Sequence, residues 1–187
     1  MYLLDTDVLS ELRAEKRRRN PNVIAWFKSI RDEDVFLSAI TIAEIEFGIE
    51  RQRTVNPAFA ERLASWLADI LGAFGERVLP LSVRIAYRWG RLGGEIGNTE
   101  LDLAIAATAL EHGLMVVTGN ESHFRPAGVA IENPFSSRGA AKALTGKDIL
   151  PLAFPAGGHK VRARENGGRK WPKESLARIA FPMIIPS

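Results

Sequence analysis

The 187-residue chain contains no cysteine, and this absence limits its chemistry. A chain without thiols has no disulfide bonds, no thiolate metal site and no cysteine nucleophile. Histidine is scarce as well, with three residues, and no two of them have the spacing of a zinc site. A metal ion would therefore be bound mainly through oxygen atoms.

Long apolar runs are also missing. No stretch approaches the roughly 20 apolar residues that a membrane-spanning helix needs. The first carboxylate, Asp5, follows only four residues, which leaves no room for the apolar core of a signal peptide. We therefore expect a soluble, cytoplasmic protein that makes no membrane contact.

Charge is distributed unevenly along the chain. Residues 1–137 hold 15 Lys and Arg residues against 19 Asp and Glu residues, whereas residues 138–187 hold 10 against 3. The second segment also contains 6 glycines and 5 prolines and shows little periodicity. This composition predicts one domain over residues 1–137, followed by a basic, largely flexible tail over residues 138–187.

Short apolar segments alternate with helical patterns as far as residue 135. The segments MYLL, VFLSAI, LMVV and GVAI predict buried strands, and RVLPLS predicts a short strand or an extended connector. Asn-Pro pairs at residues 20–21 and 56–57 predict the starts of two helices. The alternation predicts an α/β fold with a mainly parallel central sheet of about four strands.

Three carboxylates occupy corresponding places in this pattern. Asp5 follows the first strand, Glu44 lies in the first turn after the second strand, and Asp102 begins the helix that leads to the third. The carboxyl ends of parallel strands share one edge, where open α/β sheets bind ligands. Grouped carboxylates repel one another, and a hard cation such as Mg²⁺ or Mn²⁺ would relieve the repulsion. Such an ion supports phosphodiester cleavage by activating water.

Helix capping offers another role for two of these acids. The pairs Thr41 with Glu44 and Thr99 with Asp102 both match the capping box, in which a hydroxyl precedes a carboxylate by three residues. In that role each carboxylate would satisfy backbone N–H groups and would need no metal. The two roles remain open for each residue taken alone, and the combination of three acids favours a metal site.

Four segments resemble, in the correct order, the motifs of PIN-domain ribonucleases of the VapC type, the toxins of bacterial toxin–antitoxin pairs. The segments are LLDTDVLSEL, AITIAEIEFGI, DLAIAATALEHGL and VVTGNESHF, and the resemblance covers residues 1 to about 135. It implies a three-layer α/β/α fold and an endonuclease that cuts RNA with Mg²⁺ or Mn²⁺. We expect a cognate antitoxin, an RNA substrate and a second copy of the chain as partners.

The resemblance also implies roles for individual residues. The implied catalytic metal ligands are Asp5, Glu44 and Asp102. The implied supporting residues are Thr6, Asp7, Thr118 and Asn120, with Asp7 at a position where the family more often has asparagine. His123 stands where many members have a fourth acid, so Glu121 is predicted as an offset metal ligand, and the number of ions, one or two, stays open.

Two other functions fit parts of the sequence. LLDTDVL also resembles the first motif of haloacid-dehalogenase-like phosphatases, which would make Asp5 a nucleophile. That family needs a later pair of neighbouring acids, and no such pair follows Thr118. The other alternative is a catalytically silent PIN-fold binding protein, against which the three intact acids argue.

The aromatic residues divide into two predicted groups. Phe27, Phe59 and Trp66 recur at helical spacing and are predicted to lie in the core or in an interface. Trp26 and Phe47 are predicted to form exposed apolar strips that receive an antitoxin helix or a second subunit.

Overall fold

A computed structural model describes residues 1–13 and 16–136, so the predicted tail over residues 138–187 lies outside the described residues. The strands are β1 (Tyr2–Leu4), β2 (Val35–Ser38), β3 (Val78–Leu79), β4 (Met115–Val117) and β5 (Ile131–Glu132). The helices are α1 (Thr6–Glu11), α2 (Pro21–Ser29), α3 (Ala39–Val55), α4 (Pro57–Phe74), α5 (Val83–Ile96), α6 (Leu101–His112) and α7 (Glu121–Phe124). Among these described residues, no helix has the length and apolar character to cross a membrane.

The strands form one sheet in the order β3-β2-β1-β4-β5, and every pairing is parallel. The first strand is central, because Leu3 is aligned with Phe36 on one side and with Val116 on the other. The predicted α/β class and parallel sheet are confirmed. The RVLPLS segment contributes the short edge strand β3, which makes the strands five rather than about four.

Helices cover both faces of the sheet. Leu4 packs with apolar residues of α1 to α4 in one core, whereas its neighbour Leu3 packs with α6 and α7 in a second core. Adjacent residues of a strand point to opposite faces, so β1 contributes to both cores. The middle of α6, from Leu103 to Ala109, is buried at every position. The three-layer arrangement is therefore confirmed.

Two asparagines begin helices as predicted. The side chain of Asn20 accepts a hydrogen bond from the backbone N–H of Asn22, 2.9 Å away. Asn56 ends α3 through its own N–H, which donates to the Gln52 carbonyl at 2.7 Å, and begins α4 by accepting from the Phe59 N–H at 3.0 Å. Asn56 is therefore both the C-cap of α3 and the N-cap of α4, and it is the single residue that joins the two helices.

Neither of the two possible capping boxes forms. Helix α3 begins at Ala39, because Ser38 at the end of β2 already accepts a hydrogen bond from the Ile40 N–H at 3.1 Å. Thr41 is consequently a buried residue within the helix, and Glu44 lies in its second turn rather than its first. The N-cap of α6 is Glu100, which makes no side-chain capping bond. Glu44 and Asp102 are therefore available for another role.

The aromatic predictions are confirmed in part. Phe27 is buried, and Trp66 packs against the same core. Trp26 was expected to be exposed, but it is buried and meets Tyr2 edge to face at 5.3 Å between ring centroids. It lies on the side of α2 that faces the sheet. Phe47 is exposed as predicted, with 65% of its surface accessible.

Substitution of Gly93 by alanine is expected to lower the free energy of unfolding by about 1–3 kcal/mol. A Cβ at Gly93 of α5 would stand 2.8 Å from the Asn98 carbonyl oxygen and 3.2 Å from Thr99 Cγ2, so the backbone before α6 would have to move. Gly90→Ala is the matched control in the same helix, because a Cβ there meets no atom within 4 Å. In this control the free energy of unfolding is expected to rise by about 0.5–1 kcal/mol. Urea unfolding measures both, and equal changes in the two variants would contradict the expectation.

Candidate active site

The candidate site lies at the carboxyl ends of the two central strands. Asp5 follows β1 directly, and Thr118 follows β4 directly. The backbone N–H of Asp5 donates to the Val117 carbonyl at 3.0 Å, which extends the pairing of the two strands up to the site. The parallel register therefore brings residues from distant parts of the chain to one edge, as the sequence predicted.

Asp5 is held at both carboxylate oxygens. The side chain is buried, with 6% of the residue exposed. Its Oδ1 accepts from the backbone N–H of Thr6 at 2.7 Å, and its Oδ2 accepts from the Thr118 hydroxyl at 2.7 Å. The N–H bond also makes Asp5 the N-cap of α1. These bonds fix the orientation of the carboxylate before any ligand arrives.

Thr6 connects the first acid to the second. Its backbone N–H donates to Asp5, and its hydroxyl donates to Oε2 of Glu44. Glu44 is half-buried on α3, so this bond joins the start of α1 to the neighbouring helix. The structure thus brings Asp5 and Glu44 to one place through a single threonine.

Asp7 joins the same helix to the segment after β4. Its Oδ1 accepts from the Val8 N–H at 2.5 Å, and its Oδ2 accepts from the Gly119 N–H at 2.8 Å. A Cβ at Gly119 would lie 2.8 Å from Phe135 Cδ2 and 3.0 Å from Asp7 Oδ2, so a larger residue does not fit. The sequence interpretation missed Gly119, and the only signal was a glycine between the two polar residues of VVTGN.

Burial and mutual repulsion make these acids hold protons unusually well. Burial raises the pKa of Asp5 to about 7, and the charges of Asp7 and Asp102 add to the rise, while hydrogen bonds from Thr118 and Thr6 oppose it. Burial also raises the pKa of Asp7 and that of Glu44, and Asp102 contributes to both. The charge of Asp102 therefore acts on all three neighbouring acids, and a cation among them would be stabilised.

Asp102 has two ligand-type neighbours of its own. Oδ2 of Asp102 lies 2.6 Å from Nδ1 of His123, and the same nitrogen lies 3.9 Å from Oε2 of Glu100. One donor atom from each of the three residues falls within 4.8 Å of the other two. His123 thus reaches the site from the predicted fourth-acid position, and Glu100 is a second residue that the sequence interpretation missed.

Glu121 and Asn120 have different surroundings. Glu121 accepts from Nη2 of Arg125 at 2.5 Å and from Nδ2 of Asn133 at 2.8 Å, and these bonds lower the pKa of Glu121. These partners give no support to its predicted role as a metal ligand. The N–H of Asn120 donates to the Thr118 hydroxyl at 2.9 Å, so Asn120 supports the residue that holds Asp5.

The fold is that of a parallel α/β domain with a group of acidic side chains at the carboxyl ends of its central strands. The model of the PIN domain family matches residues 2–129, and the chain belongs to this family. A phosphatase of the haloacid-dehalogenase type is thereby excluded. The resemblance noted from the four segments is confirmed.

Individual relatives extend this result. VapC ribonuclease Y4jK of Sinorhizobium fredii is 38% identical over 72% of this chain and 98% of its own. Toxin FitB of Neisseria gonorrhoeae is 38% identical over 72% of this chain and 99% of its own. The crystal structure of FitAcB from the same species superposes with a TM-score of 0.64 at 36% identity, covering 72% of this chain and 99% of that one. The match therefore extends over nearly the full length of each relative.

Asp5→Asn is expected to stabilise the protein in EDTA at pH 8 relative to the parent. The folded-state pKa of Asp5, about 7, lies above the ordinary value of 3.8, so the folded state binds this proton more tightly. The resulting stability is fully present below about pH 4 and is lost as the pH rises through 7. At 1.36 kcal/mol per unit, the loss is on the order of a few kcal/mol.

Urea unfolding of parent and variant from pH 4 to pH 8 tests this expectation. Asp69→Asn, on the exposed surface of α4, is the control for loss of one surface charge. A difference between parent and Asp5→Asn that stays constant over this range would contradict the assigned role of burial.

Proposed function

We propose that this chain is a metal-dependent endoribonuclease, the toxin of a toxin–antitoxin pair, which cleaves RNA phosphodiester bonds. The observation that carries the proposal is the group formed by Asp5, Glu44 and Asp102 at the strand ends of a PIN domain. Burial raises the pKa of the first two, and Asp102 adds to both shifts. The names of the relatives, a VapC ribonuclease and a toxin, support the same function.

The donor set fits a hard divalent cation. The hydrogen bonds that reach Asp5, Asp7 and Glu44 from described residues come from hydroxyl and backbone N–H groups, which carry no charge to neutralise the acids. Oxygen ligands of this kind suit Mg²⁺ or Mn²⁺. We assign Asp5, Glu44 and Asp102 as the residues that would hold the ion. When bound, it would supply activation of water and stabilisation of the developing phosphate charge.

The chain's own residues orient these acids. Thr118 and the Thr6 N–H hold the two oxygens of Asp5, while the Thr6 hydroxyl holds Glu44. Asp7 binds the Gly119 N–H and thereby fixes the backbone beside Thr118. Thr6, Asp7, Thr118 and Asn120 are therefore positioning residues in this proposal.

A catalytically silent binding protein is the remaining alternative. Such a protein would have no use for acids that are buried beside one another, because their mutual repulsion costs folding stability. Burial, together with the charges of Asp7 and Asp102, raises the pKa of Asp5, which supports the presence of this cost. We therefore favour an active enzyme.

The proposed partners are a cognate antitoxin, an RNA substrate and a second copy of the chain. The name of the toxin relative supports an antitoxin. Two exposed groups of apolar side chains offer contact surfaces. One is Phe47 on α3. The other is formed by Val83 and Tyr87 on α5, which are 74% and 75% exposed. The cytoplasmic location expected from the sequence remains part of the proposal.

Asp5→Asn is expected to lower RNA cleavage by more than roughly 100-fold, since changes in residues that only support metal ligands already cost about 10–100-fold. Thr6→Val removes the hydroxyl that holds Glu44, so it is expected to lower RNA cleavage by about 10–100-fold. Thr6→Ser keeps a hydroxyl and is expected to restore cleavage. The measurement is cleavage of a structured RNA mixture by purified, antitoxin-free protein in Mg²⁺, Mn²⁺ or EDTA.

Asp69→Asn serves again as the surface control and is expected to cleave like the parent. If the folded parent cleaves no RNA in either metal, the silent binding protein is the better description. If cleavage persists in EDTA, the metal assignment is wrong.

We also propose that residues 1–137 suffice for the activity and that residues 138–187 are dispensable. The curated relatives match 72% of this chain with nearly their whole length, which agrees with a nuclease domain that ends near residue 137. A chain ending at residue 137 is expected to retain folding, cleavage and the salt dependence of RNA binding. A shallower salt dependence would instead assign phosphate contacts to the ten basic residues of the tail.

A further inference from the structure

The group of Glu100, Asp102 and His123 differs in chemistry from the rest of the site. Asp5 and Glu44 offer oxygen only, whereas His123 brings a nitrogen to within 2.6 Å of Asp102. Metal–ligand bonds of about 2 Å place neighbouring donor atoms about 3–4 Å apart. The three donors lie within 4.8 Å of one another, so modest side-chain movement would let them surround one ion.

The backbone at His123 is held in place by its neighbours. Phe124, the next residue, is fully buried in the core that α6 lines. The His123 N–H donates to the Asn120 carbonyl at 3.2 Å, and Asn120 in turn binds Thr118. The side chain of His123 is therefore held at the end of α6, where Glu100 and Asp102 stand.

Asp102 is shared between this group and the proposed cleavage site. Its Oδ2 faces His123. Its charge also contributes to the raised pKa of Asp5, Asp7 and Glu44. A second ion position beside the first would therefore share one carboxylate with it, an arrangement that suits two ions about 4 Å apart.

We propose that Glu100, Asp102 and His123 form a divalent-ion site whose imidazole selects a borderline transition-metal ion over Mg²⁺. The inference rests on the proposed function in so far as Asp102 belongs to both sites. Mg²⁺ prefers oxygen ligands and gives up its water reluctantly, whereas imidazole suits ions such as Zn²⁺, Fe²⁺ and Co²⁺. His123 and Glu100 are thus assigned as residues that determine which metal the protein takes.

The test uses Co²⁺ as the probe, with the full chain stripped of metal and without RNA. Calorimetry gives the dissociation constants of Co²⁺ and Mg²⁺, and the visible absorption of Co²⁺ reports its ligand field, which changes when a nitrogen ligand is lost. The parent is expected to prefer Co²⁺ over Mg²⁺ by at least about tenfold. His123→Asp keeps an oxygen ligand but removes the nitrogen, so it is expected to reduce this ratio about tenfold and to change the spectrum.

Three further variants complete the design. Glu100→Gln is expected to weaken Co²⁺ binding about tenfold, within the range for loss of a group that supports a metal site. The other two histidines of the chain provide matched controls, and His112→Asn and His159→Asn are expected to bind Co²⁺ like the parent. Circular dichroism establishes that each variant is folded.

The inference is overturned if the folded parent binds no Co²⁺, if His123→Asp keeps the parental ratio, or if Glu100→Gln binds like the parent. Its failure is distinct from failure of the proposed function. RNA cleavage that depends on Asp5, with an unchanged metal ratio in His123→Asp, would overturn only the ion assignment. A changed ratio without any RNA cleavage would overturn the enzyme and leave the ion site standing.

Discussion

The burial of the Asp5 carboxylate is the constraint on which the rest of the site depends. Placed at the end of the central strand, it begins α1, receives the Thr118 hydroxyl from β4 and, through Thr6, is joined to Glu44 on α3. Three elements thus converge on one acidic group. Water is largely excluded from that group, so the surrounding donors and charges act on it strongly.

The two faces of the sheet contribute differently to this convergence. On one side, α1 and α3 are packed against the larger apolar core and carry Asp7 and Glu44, with Asp5 as the N-cap of α1. On the other side, α6 is buried along its middle, and this packing sets Asp102 at its first turn facing the same edge. The domain therefore brings four acids together with apolar packing on both sides and offsets part of their repulsion with neutral donors.

Much of this arrangement was predictable, and the errors have physical reasons. Asp5, Asp7 and Thr118 follow apolar strands in the sequence, so their meeting at one edge follows from a parallel sheet. The predicted role of Glu121 as a metal ligand finds no support, because Glu121 and His123 are two residues apart on α7 and therefore point to nearly opposite sides of the helix. Glu121 turns toward Arg125 and Asn133, whereas His123 turns toward Asp102. The Thr41–Glu44 capping box did not form because Ser38 caps α3 three residues before Thr41.

The sheet order has a consequence for the newly made protein. Asp5 accepts its bond from Thr118, 113 residues further along the chain, and β1 lies between two strands that are made after it. Since synthesis runs from the N-terminus, the acidic end of β1 leaves the ribosome well before the strand that brings its partner Thr118. A chain that ends before β4 lacks the Thr118 hydroxyl that holds the Asp5 carboxylate. Under the proposed function, such an incomplete copy is expected to cleave no RNA.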